Sequence, residues 1–188
     1  MESLFPQIKT STRSEYEELS NNGLPLGYNI LNFWKWSMSD VLSNATRGLF
    51  AEFIVATAVG FEPSSVRDEW GDYDLTADNG KIKIEVKSSA FIQSWEQKEL
   101  SKIIFSTKSR KSDIYVFCLL KHTDQSTIDP LKMEQWEFYI LSTLTLNNYK
   151  RSKTHITLNS LRGLANPTLY ENLKQSILNT FYNDNTTA

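Results

Sequence analysis

Two short runs of alternating apolar and polar side chains, residues 72–77 and 81–87, flank the sequence Asp78-Asn79-Gly80. Alternation with a period of two is typical of a β-strand that buries one face. Asn-Gly is the preferred pair for a two-residue turn, because both of its positions require a positive φ. The pattern therefore predicts an antiparallel β-hairpin.

Other parts of the chain show helical spacing or continuous apolar runs. The predicted helices cover residues 44–58, residues 95–102 and the segment that begins at Asn166-Pro167. The predicted strands are a short one within residues 61–66, a buried one at 113–120 and another at 136–141. Their order predicts an α/β fold with a central mixed sheet flanked by helices.

The domain organisation follows from the same pattern. Residues 1–43 are expected to form a helical extension that packs on the core, and their aromatic side chains Phe33, Trp34 and Trp36 are expected to be buried. Residues 44–182 are expected to form the main domain, and residues 183–188 a tail that frays.

Composition excludes several classes of protein. The chain has 188 residues, of which 40% are hydrophobic and 22% charged, which suits one compact domain. No apolar run approaches the ~20 residues that span a bilayer, and the N-terminus lacks a signal-peptide pattern. The single cysteine, Cys118, and two histidines argue against a disulfide or a zinc site. We therefore expect a cytoplasmic protein with no membrane partner.

Positive charge is concentrated in two clusters although the net charge is −2. The first lies between residues 98 and 111 and includes Lys108, Arg110 and Lys111, and the second is Lys150-Arg151-Ser152-Lys153. Both are candidate phosphate-binding patches. The alternative for either cluster is an ordinary solvated face.

The hairpin register brings charged side chains together. Counting outward from Asn79-Gly80 places the apolar side chains of both runs on one face. Asp74 then lies directly opposite Glu85, with Cβ atoms about 5 Å apart. Lys87 lies on the same face, diagonal to Asp74 and opposite Asp72.

Two carboxylates held side by side predict a cation site. Like charges in direct opposition are destabilising, and Mg²⁺ is typically held by one or two carboxylates together with water and phosphate. Mn²⁺ is expected to substitute for Mg²⁺. Lys87 is placed to orient or deprotonate an attacking water, or to neutralise charge on phosphate. The alternative is an exposed face of an amphipathic hairpin that carries unrelated charges.

Glu52 is the one polar residue in the run Leu49–Ala56. A buried carboxylate requires a cation, a metal or a water-filled cleft, so Glu52 is a candidate fourth member of the site. The alternative is that it pairs with Arg47 or reaches solvent. Arg47 itself is a candidate for contact with phosphate or with Glu52.

The helix glutamate, the strand aspartate and the Glu-x-Lys motif together resemble the PD-(D/E)XK nuclease superfamily, which includes restriction endonucleases. The resemblance covers residues 44–120 and implies a restriction-endonuclease-like core of order α-β-β-β-α-β. It implies that Asp74 and Glu85 bind the metal, that Lys87 is the catalytic lysine and that Glu52 supports the metal site. The carbonyl of Val86 would be an additional ligand.

The resemblance also implies a substrate class and further contacts. Gln93 or Gln97 would correspond to a glutamine that some members place near the site, the alternative being an ordinary surface residue. Tyr73 stands where the family has proline. The expected activity is hydrolysis of DNA phosphodiesters in defence or DNA processing, with RNA not excluded and a homodimer consistent with cutting both strands. The competing hypotheses are a non-catalytic nucleic-acid-binding or complex-forming module of the same fold, and a plain interaction protein.

Overall fold

The computed structural model describes residues 4–5, 8, 10–62, 66–69, 71–108 and 111–186. The chain divides into two compact units. The first comprises residues 1–39 and 62–69, and the second comprises residues 40–61 and 70–188. Among the described residues, no helix is both long enough and apolar enough to cross a membrane.

The first unit contains a small hairpin followed by a helix. Its elements are β1 (Glu18–Asn21), β2 (Leu24–Asn29) and α1 (Ile30–Met38). Asn29 caps α1 through a reciprocal pair of hydrogen bonds with Asn32, which satisfies backbone N–H groups of the first turn. The expected burial of aromatic side chains here is wrong, since Phe33, Trp34 and Trp36 are all exposed. Helical spacing identifies an apolar face but not what covers it.

The second unit contains the remaining elements. They are α2 (Asn44–Val59), β3 (Leu75–Ala77), β4 (Ile82–Ala90), β5 (Ile104–Ser106), β6 (Ile114–Leu120), β7 (Trp136–Ser142), α3 (Thr143–Asn148), β8 (His155–Thr157), α4 (Leu158–Arg162) and α5 (Leu173–Thr186). Two short 3-10 helices precede β7 and α5. Helix α5 continues into the segment 183–188, for which the sequence predicts fraying.

A four-stranded mixed sheet of order β3-β4-β6-β7 forms the centre of this unit. Strand β4 is antiparallel to β3 and parallel to β6, and β6 is antiparallel to β7. Strand β6 is buried along its whole length, as the continuous apolar run predicts. The expected α/β class with a central mixed sheet and flanking helices is confirmed.

Two apolar clusters cover the two faces of this sheet. On one face, the even-numbered side chains of β4 and β6 pack against α2 and α5, with Ala51, Ile54, Leu173 and Ile177 among the contacts. On the other face, Tyr115, Phe117 and Tyr139 pack against β5, β8 and the helices α3 and α4. Strands β5 and β8 form a separate two-stranded sheet.

Three predicted elements differ from the structure. The predicted helix at residues 95–102 is absent from that described segment, which is a loop stabilised by side-chain contacts to the backbone. The helix predicted from Asn166-Pro167 begins only at Leu173, because Thr168 forms a β-bridge with Phe138. Residues 61, 62 and 66 form no strand, and residues 63–65 lie outside the described residues. The described part of the chain therefore does not show the α-β-β-β-α-β order.

Candidate active site

The turn at residues 78–81 sets the register of the β3–β4 hairpin. Asn79 and Gly80 both have positive φ, at 55° and 83°, and Asp78 joins them at 49°. Glycine and asparagine tolerate this left-handed region best. The predicted register is confirmed along the paired strands, in which the partners are Leu75 with Ile84, Thr76 with Lys83 and Ala77 with Ile82.

Alternation along β4 separates the core from the candidate site. Ile82, Ile84 and Val86 point into the cluster under α2. Glu85 and Lys87 point to the other face, in register with Tyr115 and Phe117 of β6. Glu85 is only 7% exposed, so its carboxylate requires a nearby cation.

Lys87 supplies that cation and contacts both carboxylates. Its Nζ lies 2.6 Å from Oε1 of Glu85 and 3.8 Å from Oδ2 of Asp74. The side chains of Lys87 and Asp74 are 28% and 18% exposed, so the group is sheltered but still reaches solvent. The structure thus brings Asp74, Glu85 and Lys87 together.

Asp74 is held by the backbone of the neighbouring strand. Regular pairing ends at Leu75, and Asp74 N–H donates to the carbonyl of Ile84 at 3.1 Å. Val86 N–H donates to Oδ2 of Asp74 at 2.7 Å. Because the N–H and C=O of one strand residue point to the same side, the Val86 carbonyl is directed toward the edge where Asp74 lies. Two carboxylates and this carbonyl present the hard oxygen atoms that Mg²⁺ prefers.

Asp72 does not take part in this group. The register predicts that it lies opposite Lys87, but its carboxylate pairs with Lys111 and is 65% exposed. Lys111 is equally exposed, and Lys108 is exposed as well. Arg110, the third candidate phosphate contact of this cluster, lies outside the described residues.

Glu52 lies on α2, which covers the opposite face of the sheet from Glu85 and Lys87. It is half-buried. Burial raises the pKa of the Cys118 thiol, and the charge of Glu52 raises it further, so Glu52 lies near that buried cysteine. Its participation in the catalytic site stays a prediction.

Arg47, Gln93 and Gln97 form a network at the start of α2. The Arg47 guanidinium donates to Leu42 O at 2.8 Å and to Oε1 of Gln93 at 3.0 Å. Gln93 N–H donates to Oε1 of Gln97 at 2.6 Å, and Gln97 donates to Phe91 O. Arg47 is 3% and Gln93 8% exposed, so both are anchored inside the protein.

The electrostatics of Arg47 are distinctive because its hydrogen-bond acceptors are neutral. Besides Leu42 O and Gln93, it donates to Oδ1 of Asn44 at 2.6 Å. Its Nε is buried with no hydrogen-bond partner in the described structure. Burial lowers the pKa of Arg47, since charge is disfavoured away from water. The network fastens the N-terminal end of α2 to the loop that follows β4.

A second charged network, not foreseen from the sequence, lies on β7. Tyr139 donates to Oε2 of Glu137 at 2.7 Å, and Arg162 Nε donates to the Tyr139 hydroxyl at 2.9 Å. Lys121 Nζ lies 3.5 Å from Glu137 Oε1. Glu137 and Tyr139 are two positions apart on a strand, so their side chains point to the same face. This spacing is the sequence signal that could have identified them as neighbours.

Among the described residues, no group of three or more His, Cys, Asp and Glu side chains could hold a metal ion. Asp74 and Glu85 form a pair of carboxylates around Lys87, and the place of Glu52 beside them stays a prediction. Two carboxylates suffice for Mg²⁺ when water and substrate phosphate complete its coordination. The candidate oxygen ligands thus fit the ion that the sequence predicts.

Comparison with known proteins adds no assignment. No protein-family model matches the chain, and no curated protein matches it.

Proposed function

We propose that this protein is a divalent-metal-dependent nuclease that hydrolyses DNA phosphodiester bonds. The observation that carries the proposal is the contact of the Lys87 amine with both Glu85 and Asp74, at 2.6 and 3.8 Å. A sheltered pair of carboxylates next to a lysine on one strand face provides ligands for a cation and a positive charge for the reacting phosphate.

Each residue has a defined role in this proposal. Asp74, Glu85 and the Val86 carbonyl would hold Mg²⁺ or Mn²⁺. The ion would lower the pKa of a bound water and polarise the phosphoryl group. Lys87 would orient the attacking water and offset the negative charge that develops on phosphorus. Val86 N–H fixes the Asp74 carboxylate at 2.7 Å, which limits its motion during the reaction.

The finer fold assignment belongs to the same proposal. We propose that the core is of the PD-(D/E)XK type, and the antiparallel β3–β4 pair with β6 parallel to β4 supports this. The loop in place of the expected helix after β4 is a departure from the expected core. DNA as the substrate and a homodimer that cuts both strands are parts of the proposal.

The alternative is a non-catalytic nucleic-acid-binding module of the same fold. The observation that favours it is that the Lys87 amine, 2.6 Å from Oε1 of Glu85, already neutralises this carboxylate without a metal. Titration calorimetry with Mn²⁺ distinguishes the two functions. A binding signal that is lost in Asp74→Ala supports the enzyme, and the absence of any signal supports the module.

The direct test is incubation of the full chain with plasmid DNA. Cleavage is measured with Mg²⁺ or Mn²⁺, and an EDTA sample serves as control. Single-stranded, branched and RNA substrates are tested in parallel. We expect Asp74→Ala to abolish cutting and Asp72→Ala to retain it, because Asp72 is exposed and pairs with Lys111 instead. Full activity of Asp74→Ala would overturn the proposal.

A further inference from the structure

A long segment of the second unit is devoid of acidic residues. Residues 138–170 contain no aspartate or glutamate, although the whole chain has a net charge of −2. The segment includes α3, β8 and α4 and carries Lys150, Arg151, Lys153 and Arg162. An uneven distribution of this kind creates a local positive field in a protein that is acidic overall.

This segment encloses a cleft of about 670 Å³ between α3 and α4. Its lining includes Asn148, Tyr149, Lys150, Arg151, Asn159 and Ser160. Thr145 and Leu164 line both this cleft and a second cavity of about 310 Å³, so the two cavities are neighbours, and we refer to the pair as the groove. The described lining of both cavities has no carboxylate.

The two cations of the cleft differ from other basic residues of the protein. Arg162 and Lys121 pair with Glu137, and Lys111 pairs with Asp72. Lys150 and Arg151 are exposed and have no carboxylate partner among the residues that the structure describes. Adjacent cations without internal counter-ions are available to an anionic ligand.

Strand pairing adds the other basic cluster to the same region. Strands β5 and β8 are antiparallel, with Ser106 opposite His155. Thr107 N–H donates to the carbonyl of Thr154 at 2.9 Å. Residues 103–107 therefore run beside residues 154–158, the segment that follows Lys150 and Arg151 in the sequence, with Lys108 at one end of this pairing and Lys102 at the other.

The groove also has a defined relation to the candidate active site. Glu85 is in register with Tyr115, and Tyr115 is in register with Leu141, which lines the second cavity. Paired residues on neighbouring strands share a face, and two strand spacings amount to about 10 Å. The second cavity therefore reaches the sheet two strands away from Glu85, at the residue of β7 that is in register with it through Tyr115.

Tyr149 gives the cleft an aromatic surface. It is half-buried, packs against the apolar cluster around Tyr115 and Phe117, and lines the cleft. A basic groove combined with an aromatic side chain is the arrangement by which proteins bind single-stranded nucleic acid. Pockets of about 300–1,000 Å³ accommodate small ligands, so the cleft has room for unstacked nucleotides rather than for a duplex.

From these observations we infer that the α3–α4 cleft binds a single-stranded nucleic-acid segment. Lys150 and Arg151 contact phosphates, and a base stacks on Tyr149. This inference rests on the proposed nuclease function and narrows its substrate class to nucleic acids with unpaired nucleotides beside the scissile bond.

Fluorescence anisotropy with labelled oligothymidylate, in EDTA so that nothing is cut, tests the inference on the full chain. Lys150→Ala/Arg151→Ala should bind about 10-fold more weakly, and its log–log salt slope should fall by about 0.7 for each phosphate that the variant no longer neutralises. Tyr149→Ala should weaken binding about 10-fold. Lys132→Ala/Lys174→Ala is the matched control, because it removes two exposed cations outside the groove.

The outcomes are distinct. The inference is supported if the protein binds the single strand more tightly than a duplex of equal length and if only the cleft variants weaken this binding. This result supports the inference even if the protein cuts nothing. An oligouridylate sample identifies the preferred sugar. Any of three results would overturn the inference. The cleft variants could bind as tightly as the matched control, the protein could prefer the duplex, or the unmodified chain could bind no single strand. Thermal melting of every variant identifies any that fail to fold. If Lys150→Ala/Arg151→Ala fails to fold, Lys150→Gln/Arg151→Gln is measured in its place.

Discussion

The Asp74 carboxylate accepts a hydrogen bond from the backbone N–H of Val86 at 2.7 Å. Regular strand pairing ends at Leu75, and this contact extends the β3–β4 ladder beyond the Asp74 N–H bond to the carbonyl of Ile84. It also fixes one oxygen of Asp74 close to the Lys87 amine. A carboxylate that is positioned by the backbone does not depend on a ligand to hold its orientation, which is what a preorganised cation site requires.

Replacement of Lys87 by methionine should separate metal binding from catalysis. We expect cleavage to fall by about 10²-fold or more, because the charge next to the reacting phosphate is lost. Affinity for Mn²⁺ should be retained or increased, since a positive charge 2.6 Å from the Glu85 carboxylate repels a second cation. Calorimetry and plasmid cleavage measure the two effects.

Lys83→Met is the matched control for this change. Lys83 lies four residues before Lys87 on the same face of β4 and is exposed, and its Nζ lies over the Tyr73 ring. The Lys83→Met protein should retain both cleavage and metal binding. A Lys87→Met protein that folds but no longer binds Mn²⁺ would contradict the role assigned to the lysine.

The hairpin could be predicted from the sequence because its determinants are local. Asn79 and Gly80 adopt the positive φ values that their chemistry favours, and the apolar alternation allows only one register to bury Ile82 and Ile84. The convergence of Lys87 with Glu85 and Asp74 follows from that register. The Val86 hydrogen bond could not be foreseen, because it depends on where β3 ends.

Predictions of helices failed where side-chain bonds to the backbone, or a contact with a distant strand, outweighed the helical preference of the segment. The segment 95–102 has helical spacing, but the Gln97 side chain bonds to the backbone of Gln93 and Phe91 instead. Side-chain bonds of this kind compete with the helical backbone pattern. Pro167 suits a helix start, yet the bridge between Thr168 and Phe138 holds that segment extended. Phe138 is 30 residues from Thr168, so no local pattern reports that bridge, whereas Gln97 bonds to residues four and six positions away and replaces the helix by a local alternative.

Removal of the Gln93 side chain should destabilise the fold. Gln93→Ala takes one acceptor from the buried Arg47 guanidinium, whose Nε already has no partner in the described structure. Leaving a buried charged donor unsatisfied costs about 2 kcal/mol. Urea denaturation measures the free energy of unfolding, and Gln175→Ala, an exposed glutamine, is the control. If Gln93→Ala lowered the free energy of unfolding by less than the control variant does, the Arg47 network would add nothing to stability.

Glu137 should make stability depend on acid pH. Burial raises its pKa, but hydrogen bonds from Tyr139 and Arg162 and the charge of Lys121 outweigh burial and hold the pKa below its ordinary value. A depressed folded-state pKa contributes stability that is present above the unfolded-state pKa, about 4.3, and is lost as the pH falls through the folded-state value.

Glu137→Gln should therefore lower the free energy of unfolding by about 1–2 kcal/mol at neutral pH. The difference from the unmodified protein should shrink as the pH falls below about 4. Urea titrations across this range measure it, and Glu134→Gln, an exposed glutamate nearby, is the control. A difference that stays constant with pH would contradict the ionic contribution of Glu137.

Cys118 should report on the folding of every variant. It is the single cysteine of the chain and is fully buried in β6. Burial raises the pKa of its thiol, and the charge of Glu52 adds to the effect, so the reactive thiolate is suppressed. Iodoacetamide should label the native protein about 10³-fold more slowly than the urea-unfolded chain, because labelling requires unfolding. Mass spectrometry measures the two rates.

The same labelling serves as a folding control for the active-site variants. An inactive Asp74→Ala protein that retains this protection has lost chemistry rather than structure. Equal rates in native and unfolded protein would show that β6 is open to solvent.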